Sequence, residues 1–364
     1  MDLQNGDNLG IFGSLDYDIT PTLTASFEGR WAEDTQVIEY QGATGGAANA
    51  VTDEESSFSE FMPRVILSWQ PNDSLNVYGS YSKSFLQGLS TDVVDYADAI
   101  IPDPGDGSTD FLDQRAGIVD AVGLFTGIQE LDAFEVGIKQ QLGAINYSVA
   151  VYFMEWQNQT FFDLSLPAFA AVNLPGDAEY TGIEFEWNAP LTDWATFSGG
   201  FNYVQPEFTD FGGAGSVANE VLAPGQNSLF NPSITPGQQI DATGNRPRYI
   251  QETTGNLSLD LRFPVGRFAV YARADAIWNG DFYIDNFEYN KVDGYWKLNL
   301  RAGMAINDST RVELYGLNVT DDRSWLSAGG TTGVSFFSPA DRRGFGVLPQ
   351  AREVGLRLVA NFGG

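Results

Sequence analysis

The feature that most constrains this chain is a period-two alternation of apolar and polar side chains, repeated in about thirteen segments and sharpest in the last. Within residues 352–362, Val354, Leu356, Leu358, Ala360 and Phe362 fall on one side of a strand, because successive side chains point to opposite faces. Glu353, Gly355, Arg357, Val359 and Asn361 fall on the other side. Such a strand suits a boundary between an apolar medium and water. Met once, it fits several folds, including the edge of a soluble sandwich. Repetition narrows the choice.

The repetition is there. Leu9, Ile11, Leu15, Tyr17 and Ile19 oppose Ser14, Asp16 and Asp18, and Val65, Leu67 and Trp69 share one side of a third segment. Phe134, Val136 and Ile138 oppose Glu135 and Lys139, while Ile183, Phe185 and Trp187 oppose Glu184 and Glu186. Trp296, Leu298, Leu300, Ala302, Met304 and Ile306 oppose Lys297, Asn299 and Arg301. Only residues 311–319 blur the pattern, and a β-bulge is expected there. Short turns at 20–22, 71–74 and 142–144 alternate with long connections at about 87–130, 212–246 and 321–350. Within the first long connection, residues 118–125 read as a short apolar helix.

Composition removes the main competitors. No run of 18 uncharged apolar residues exists, so helical membrane spans are excluded. The small negative mean hydropathy is no objection to a membrane barrel, whose strands are only half apolar. Aromatic residues at 13% and 40 glycines suit aromatic girdles and tight turns. A formal charge of −29, from 48 acidic against 19 basic residues, argues against nucleic acid as a partner. With no cysteine and no histidine there is no disulfide framework, no histidine acid–base chemistry and no histidine metal ligation. The first five residues have neither the basic nor the apolar part of a signal peptide, so an exported chain would start upstream of Met1.

Two regularities give the fold class. Short turns cluster at one end of the strands and long loops at the other, and the polar face carries full charges in mid-strand, at Arg273, Asp275, Arg301 and Arg357. An outer-membrane β-barrel combines short periplasmic turns, long outer loops, an apolar outside and a polar lumen. The expected fold is therefore all-β, an antiparallel transmembrane barrel. Thirteen is an odd strand count, whereas single-chain bacterial barrels normally have an even one. An open sheet edge in lipid would leave backbone groups unpaired, so the chain reads as the C-terminal part of a larger barrel.

Four stretches then carry a resemblance to the C-terminal barrel of TonB-dependent outer-membrane receptors. Residues 61–65 and 75–85 (FMPRV and LNVYGSYSKSF) are similar to that family's PRV…LNVYASYSKGF hairpin. Residues 131–139 (LDAFEVGIK) resemble its YEVGLK strand, and residues 178–186 (AEYTGIEFE) its GxExE strand. Residues 314–321 (LYGLNVTD), with the terminal aromatic strand, resemble its closing pair. The resemblance implies a barrel of about 22 strands with an N-terminal plug and energy-coupling box, of which residues 1–364 would supply the last thirteen strands. The chain departs from the family in ending on Gly363-Gly364 after the aromatic.

The same resemblance implies energy-driven uptake of a scarce ligand, most often a ferric siderophore or similar chelate. It implies as partners the TonB–ExbB–ExbD complex through the N-terminal part, outer-membrane lipid and lipopolysaccharide, and the barrel-assembly machinery, with no cofactor. Arg64, Tyr78 and Arg273 are the ligand-binding candidates on the lumen face, against an alternative role in hydrogen bonding to a plug or to water. Trp31, Trp69, Trp187, Trp278 and Trp296 lie on the outward face near strand ends and read as membrane-interface anchors. The acidic loop from Asp103 to Asp110 offers oxygen ligands to Ca²⁺ but lacks EF-hand spacing and reads as a solvated loop, so no metal site is assigned. Glu184 and Glu186 share a face without a cleft, and no catalytic residue is assigned. A passive porin-like channel and a surface adhesin or phage-docking barrel are the alternative functions.

Overall fold

The computed structural model describes residues 4–41, 51–88, 127–165, 170–211, 242–284, 286, 288, 291–307, 309–330 and 344–361. Among these residues there are strands and no helix. In chain order the strands are β1 (Gln4–Thr20), β2 (Leu23–Gln41), β3 (Val51–Asn72), β4 (Leu75–Leu86), β5 (Gln129–Leu142) and β6 (Ile145–Ser165). Then follow β7 (Ala170–Thr192), β8 (Ala195–Asp210), β9 (Thr253–Val265), β10 (Phe268–Asn279), β11 (Phe282–Tyr283) and β12 (Lys291–Val292). The last are β13 (Tyr295–Asn307), β14 (Thr310–Leu317), β15 (Ser327–Gly330), β16 (Gly344–Val347) and β17 (Glu353–Ala360).

Thirteen of them form one antiparallel sheet in the order β1 to β10, β13, β14, β17, as the alternation predicts. The small pairs β11–β12 and β15–β16 sit inside connections and leave no period-two signal long enough to read. Two residues join β1 to β2, β3 to β4, β5 to β6, β7 to β8, β9 to β10 and β13 to β14, all at the same end of the sheet. Their sequences explain the tightness. Gly143 and Gly266 take positive φ (63° and 61°). Asn72 and Asn307 each accept hydrogen bonds from a backbone N–H and a hydroxyl two residues on, at Ser74 and Ser309, which closes an Asx turn. At the other end the connection between β6 and β7 is shorter than the alternation of turns and loops implies. Both strands run past 20 residues, about twice what a bilayer needs, so the chain extends as strand instead of loop.

Register turns thirteen separate alternations into two continuous surfaces. Phe27, Val65, Tyr81, Phe134 and Phe153 are successive cross-strand partners, as are Leu261, Ala272, Ala302, Leu314 and Leu356. These rows form an apolar band that no second sheet covers among the described residues: Val136 is 62% exposed and Leu356 73%. A soluble sandwich would bury that face against a partner sheet. The band ends toward the long connections at a row of charge, Lys83, Asp132, Glu155, Glu179 and Glu207, each the partner of the next. Such a row suits the level at which hydrocarbon would give way to headgroups.

On the opposite face four tyrosines repeat one arrangement. Tyr78, Tyr152, Tyr271 and Tyr315 each lie across the glycine that is their cross-strand partner, namely Gly137, Gly182, Gly303 and Gly355. The hydroxyls donate to Glu135 (2.5 Å), Asn202 (3.2 Å), Glu313 (2.7 Å) and Glu353 (2.7 Å). A ring laid over a glycine covers backbone that a side chain would otherwise shield, and its hydroxyl ties a third position to the pair.

The strand with blurred alternation, β14, is regular: Val312, Leu314 and Gly316 face the lipid side, opposite Leu358, Leu356 and Val354. Its one irregularity lies at the turn, between Ala305 and Asn307, and not inside the strand. β14 stops because Asn318 takes positive φ (47°) and turns inward. The Asn318 amide donates to the carbonyls of Asp322 and Gln350, both at 2.9 Å, so the last long connection is pinned where it leaves and where it returns. The helix expected at 118–125, the acidic loop from Asp103 to Asp110, and Phe362 lie outside the described residues.

A Cβ at Gly137 would stand 2.5 Å from the Tyr78 ring, so Gly137→Val is expected to destabilise the barrel by roughly 1–3 kcal/mol. The double variant with Tyr78→Ala should recover part of that loss. Heat-induced loss of the folded band on semi-native gels measures both, and simple additivity of the two changes would contradict the packing described.

Candidate functional site

The polar face of the sheet is the candidate site, because among the described residues it joins charged and polar side chains from several strands around two hollows. Each candidate from the sequence lies on it and each is engaged. Arg64 on β3 faces Glu28 at 3.4 Å with both side chains about half exposed. Tyr78 on β4 donates to Glu135, and the Lys139 ammonium stands 5.4 Å from its ring centre. Arg273 on β10 pairs with Asp275 at 2.8 Å and reaches the Ser258 hydroxyl at 3.3 Å. They do not form one pocket. Tyr78 and Arg273 are six strand steps apart, about 29 Å along the sheet at about 4.8 Å per step.

Between them the wall is polar and carries a groove of about 580 Å³ lined by Asn76, Lys139, Ser148, Glu186, Asn188 and Asn256. These residues come from β4 to β9, near the short-turn end. Carboxylate, ammonium and amide groups are all available there to a polar solute.

Toward the long connections the polar face is capped. Met154, Trp156, Ala178, Tyr180, Val204 and Phe208 pack with Phe211, Ala242 and Ile250 into an apolar cluster, Phe208 and Ala242 being fully buried. Residues 242–245 continue the sheet over the end of β8: Phe208 N–H donates to the Asn245 carbonyl (2.9 Å), and Gly244 N–H donates back to the Phe208 carbonyl (2.8 Å). The sequence signal for this cap is the switch in parity on β8, where Val204 and Phe208 put apolar side chains on the face that Ser198, Gly200 and Asn202 keep polar.

Arg246 holds the cap in place. Its guanidinium meets Glu252 (3.3 Å), Asp281 (3.4 Å) and Glu288 (3.6 Å) and stacks on the Tyr283 ring at 4.6 Å. Lys291 adds a second cation on Asp281 at 3.0 Å. Burial alone would raise the Asp281 pKa, but its contacts with Lys291 and Arg246 outweigh burial and hold the carboxyl below its ordinary value. One arginine thereby joins the start of β9 to the β11–β12 pair. No group of metal-ligating side chains occurs among the described residues.

A family model described as TonB dependent receptor-like, beta-barrel matches residues 2–320. The chain belongs to that family. TonB-dependent receptor barrels are outer-membrane proteins of Gram-negative bacteria, and the two-faced sheet has the surface that location requires. Solved structures agree on the fold. The ferric yersiniabactin uptake receptor FyuA from Yersinia pestis superposes with a TM-score of 0.71 at 14% identity, over 99% of this chain and 46% of that one. The siderophore receptor PiuA from Acinetobacter baumannii gives 0.67 at 15% identity, over 98% of this chain and 43% of that one. The ferric citrate transporter FecA gives 0.63 at 14%, over 98% and 45%. The chain thus spans less than half the length of each. A search of curated protein sequences found no match. Family and structural neighbours are receptors and transporters, not enzymes.

In this TonB-dependent receptor barrel the five tryptophans occupy the lipid-facing parity at two heights. Trp69 and Trp187 lie close to the short turns, and Trp187 stacks on Phe185 at 5.0 Å. Trp278 and Trp296 are cross-strand partners near the other end, 5.2 Å apart. Trp31, expected near a strand end, lies inside β2 between Ile11 and Phe61, because β2 runs ten residues further.

Because Asp281 has a lowered pKa in the folded state, its contribution to the cap is complete above about pH 4 and is lost as pH falls through the folded value. Limited proteolysis across residues 242–292 should therefore accelerate in acid. Arg246→Ala should be cut quickly at neutral pH and show a smaller further change on acidification.

Proposed function

We propose that the chain is the C-terminal portion of the barrel of a TonB-dependent receptor that takes up a scarce ligand, with a ferric siderophore or similar iron chelate as cargo. The observation that carries the reading is the family match over residues 2–320 together with a sheet whose lipid-facing and water-facing sides both run unbroken through thirteen strands. Three similar structures are, by their own descriptions, a ferric yersiniabactin uptake receptor, a siderophore receptor and a ferric citrate transporter, which supports iron-chelate cargo. Energy would come from the TonB–ExbB–ExbD complex acting on an N-terminal part, and lipid and lipopolysaccharide would surround the apolar band. The Trp69, Trp187, Trp278 and Trp296 positions suit anchoring at the two interfaces, and Trp31 suits contact with the outer leaflet.

Arg64, Tyr78 and Arg273 are proposed to line the passage through the lumen rather than to form one ligand pocket. Their separation around the wall supports this, since a passage uses polar groups in succession. Deleting the gene and testing growth on a panel of ferric chelates, cobalamin and oligosaccharides checks the reading. Loss of growth on one iron chelate, restored by the intact gene but not when the TonB partner is absent, is the expected outcome. Growth on every chelate without the gene would exclude iron uptake, and uptake that persists without TonB would favour a passive channel.

A further inference from the structure

The charge on the polar face is not evenly distributed. The chain carries 48 acidic and 19 basic residues, yet Arg262, Arg273, Arg301, Arg311 and Arg357 gather on five neighbouring strands, β9, β10, β13, β14 and β17, between mid-strand and the short turns. Four of them, Arg262, Arg301, Arg311 and Arg357, ring a cavity of about 520 Å³. Its lining includes Ala269, Ala305 and Tyr271, and Tyr271 lies flat over Gly303. Small side chains in the middle and long cationic ones around them make the concavity, within the size range of small-molecule sites.

Neutralisation within the ring is incomplete. Arg262 is paired with Asp260 at 2.7 Å, and Arg357 meets Glu313 at 3.2 Å while lying 5.3 Å from the Tyr315 ring centre. Arg301 and Arg311 make no ion pair among the described residues and are both exposed to the lumen. Arg301 is also the direct cross-strand partner of Arg273, whose charge is met by Asp275 (2.8 Å) and Asp260 (3.9 Å), so the charge left without a partner is that of Arg301. Glu313 is the single carboxylate in the lining; one of its oxygens takes the Tyr271 hydroxyl and the other, buried, has no aligned hydrogen bond. A net surplus of planar forks around a shared hollow is the arrangement that binds clustered carboxylate or phosphate oxygens two at a time.

We infer that this hollow, ringed by Arg262, Arg301, Arg311 and Arg357, is a binding site for a small polyanion bearing two or more carboxylate or phosphate groups. In a barrel whose overall charge repels anions, it supplies a local positive potential beside the periplasmic exit. The site lies far along the wall from the capped end and needs only that the polar face be a lumen, so it stands whatever cargo the receptor carries. Free polycarboxylates and free polyphosphates share the recognised chemistry, and the choice between them is left to two probes.

The test uses the complete receptor containing this chain, purified in detergent at low salt and titrated calorimetrically with citrate and with pyrophosphate. Binding of at least one probe, falling with added salt, is expected; the tighter probe identifies the source of the oxygens. Arg301→Gln with Arg311→Gln should weaken it about tenfold or more, as loss of two charge-assisted contacts implies. Arg30→Gln, an arginine of β2 on the same face but outside the ring, should leave it unchanged. Since a double variant can fail to fold, Glu313→Gln provides a gain-of-affinity check: removing the one lining carboxylate should tighten binding several-fold, which misfolding cannot do. Absence of binding by both probes, equal binding by wild type and the double variant, or no tightening in Glu313→Gln would each overturn the inference.

Discussion

The constraint on which everything else depends is that hydrocarbon offers no hydrogen bonds. Each backbone N–H and C=O left unpaired at membrane depth costs several kcal/mol, so a chain without long apolar helices can cross only as strands that satisfy one another laterally. That requirement explains why thirteen strands pair with their neighbours in antiparallel ladders whose register shifts only beside the short turns and beyond the charged row, at Trp156/Gln159 and Asp177/Ala178, and why the joins at one end are two residues long. It also explains where the chain is free. Beyond the charged row from Lys83 to Glu207, water can serve the backbone, and there strand lengths differ and connections lengthen.

Register has a second consequence. Because a one-residue slip would turn every lipid-facing side chain into the lumen, the apolar band and the polar wall fix each other. The four tyrosines laid over partner glycines add local pins, each joining two strands by packing and a third position by a hydrogen bond. Asn318 does comparable work at the base of the last connection, with two carbonyls 28 residues apart in sequence held by one amide.

The polar wall is chemically sectored. Its middle strands carry Glu135, Glu184 and Glu186 among amides and hydroxyls, whereas its last strands carry arginines in excess of carboxylates. At the end with long connections the same face becomes apolar and is closed by residues 242–250, held by Arg246 amid three carboxylates. A solute moving along such a wall meets different chemistry at each height and on each side. This is a property of the assembled sheet, since no single strand holds more than a few of these groups.

Much of this was legible in the chain itself. Alternation in strands such as β5, β13 and β17 determined fold class, strand number and the facing of Arg64, Tyr78 and Arg273, because a strand's two faces follow directly from odd and even positions. The blurred β14 was settled only by its neighbours: Leu356 and Leu358 across the ladder decide which of its residues face lipid. Sequence order gives no distance across a sheet, so it could not show that Tyr78 and Arg273 lie on separate parts of the wall, or that Arg301 and Arg311, from different strands, share one hollow. Nor could it foretell the cap, in which residues 242–250 fold back on the end of β8 and join a cluster with side chains of β6 and β7. Local side-chain parity made the barrel wall; lateral pairing over long sequence separations made its sites.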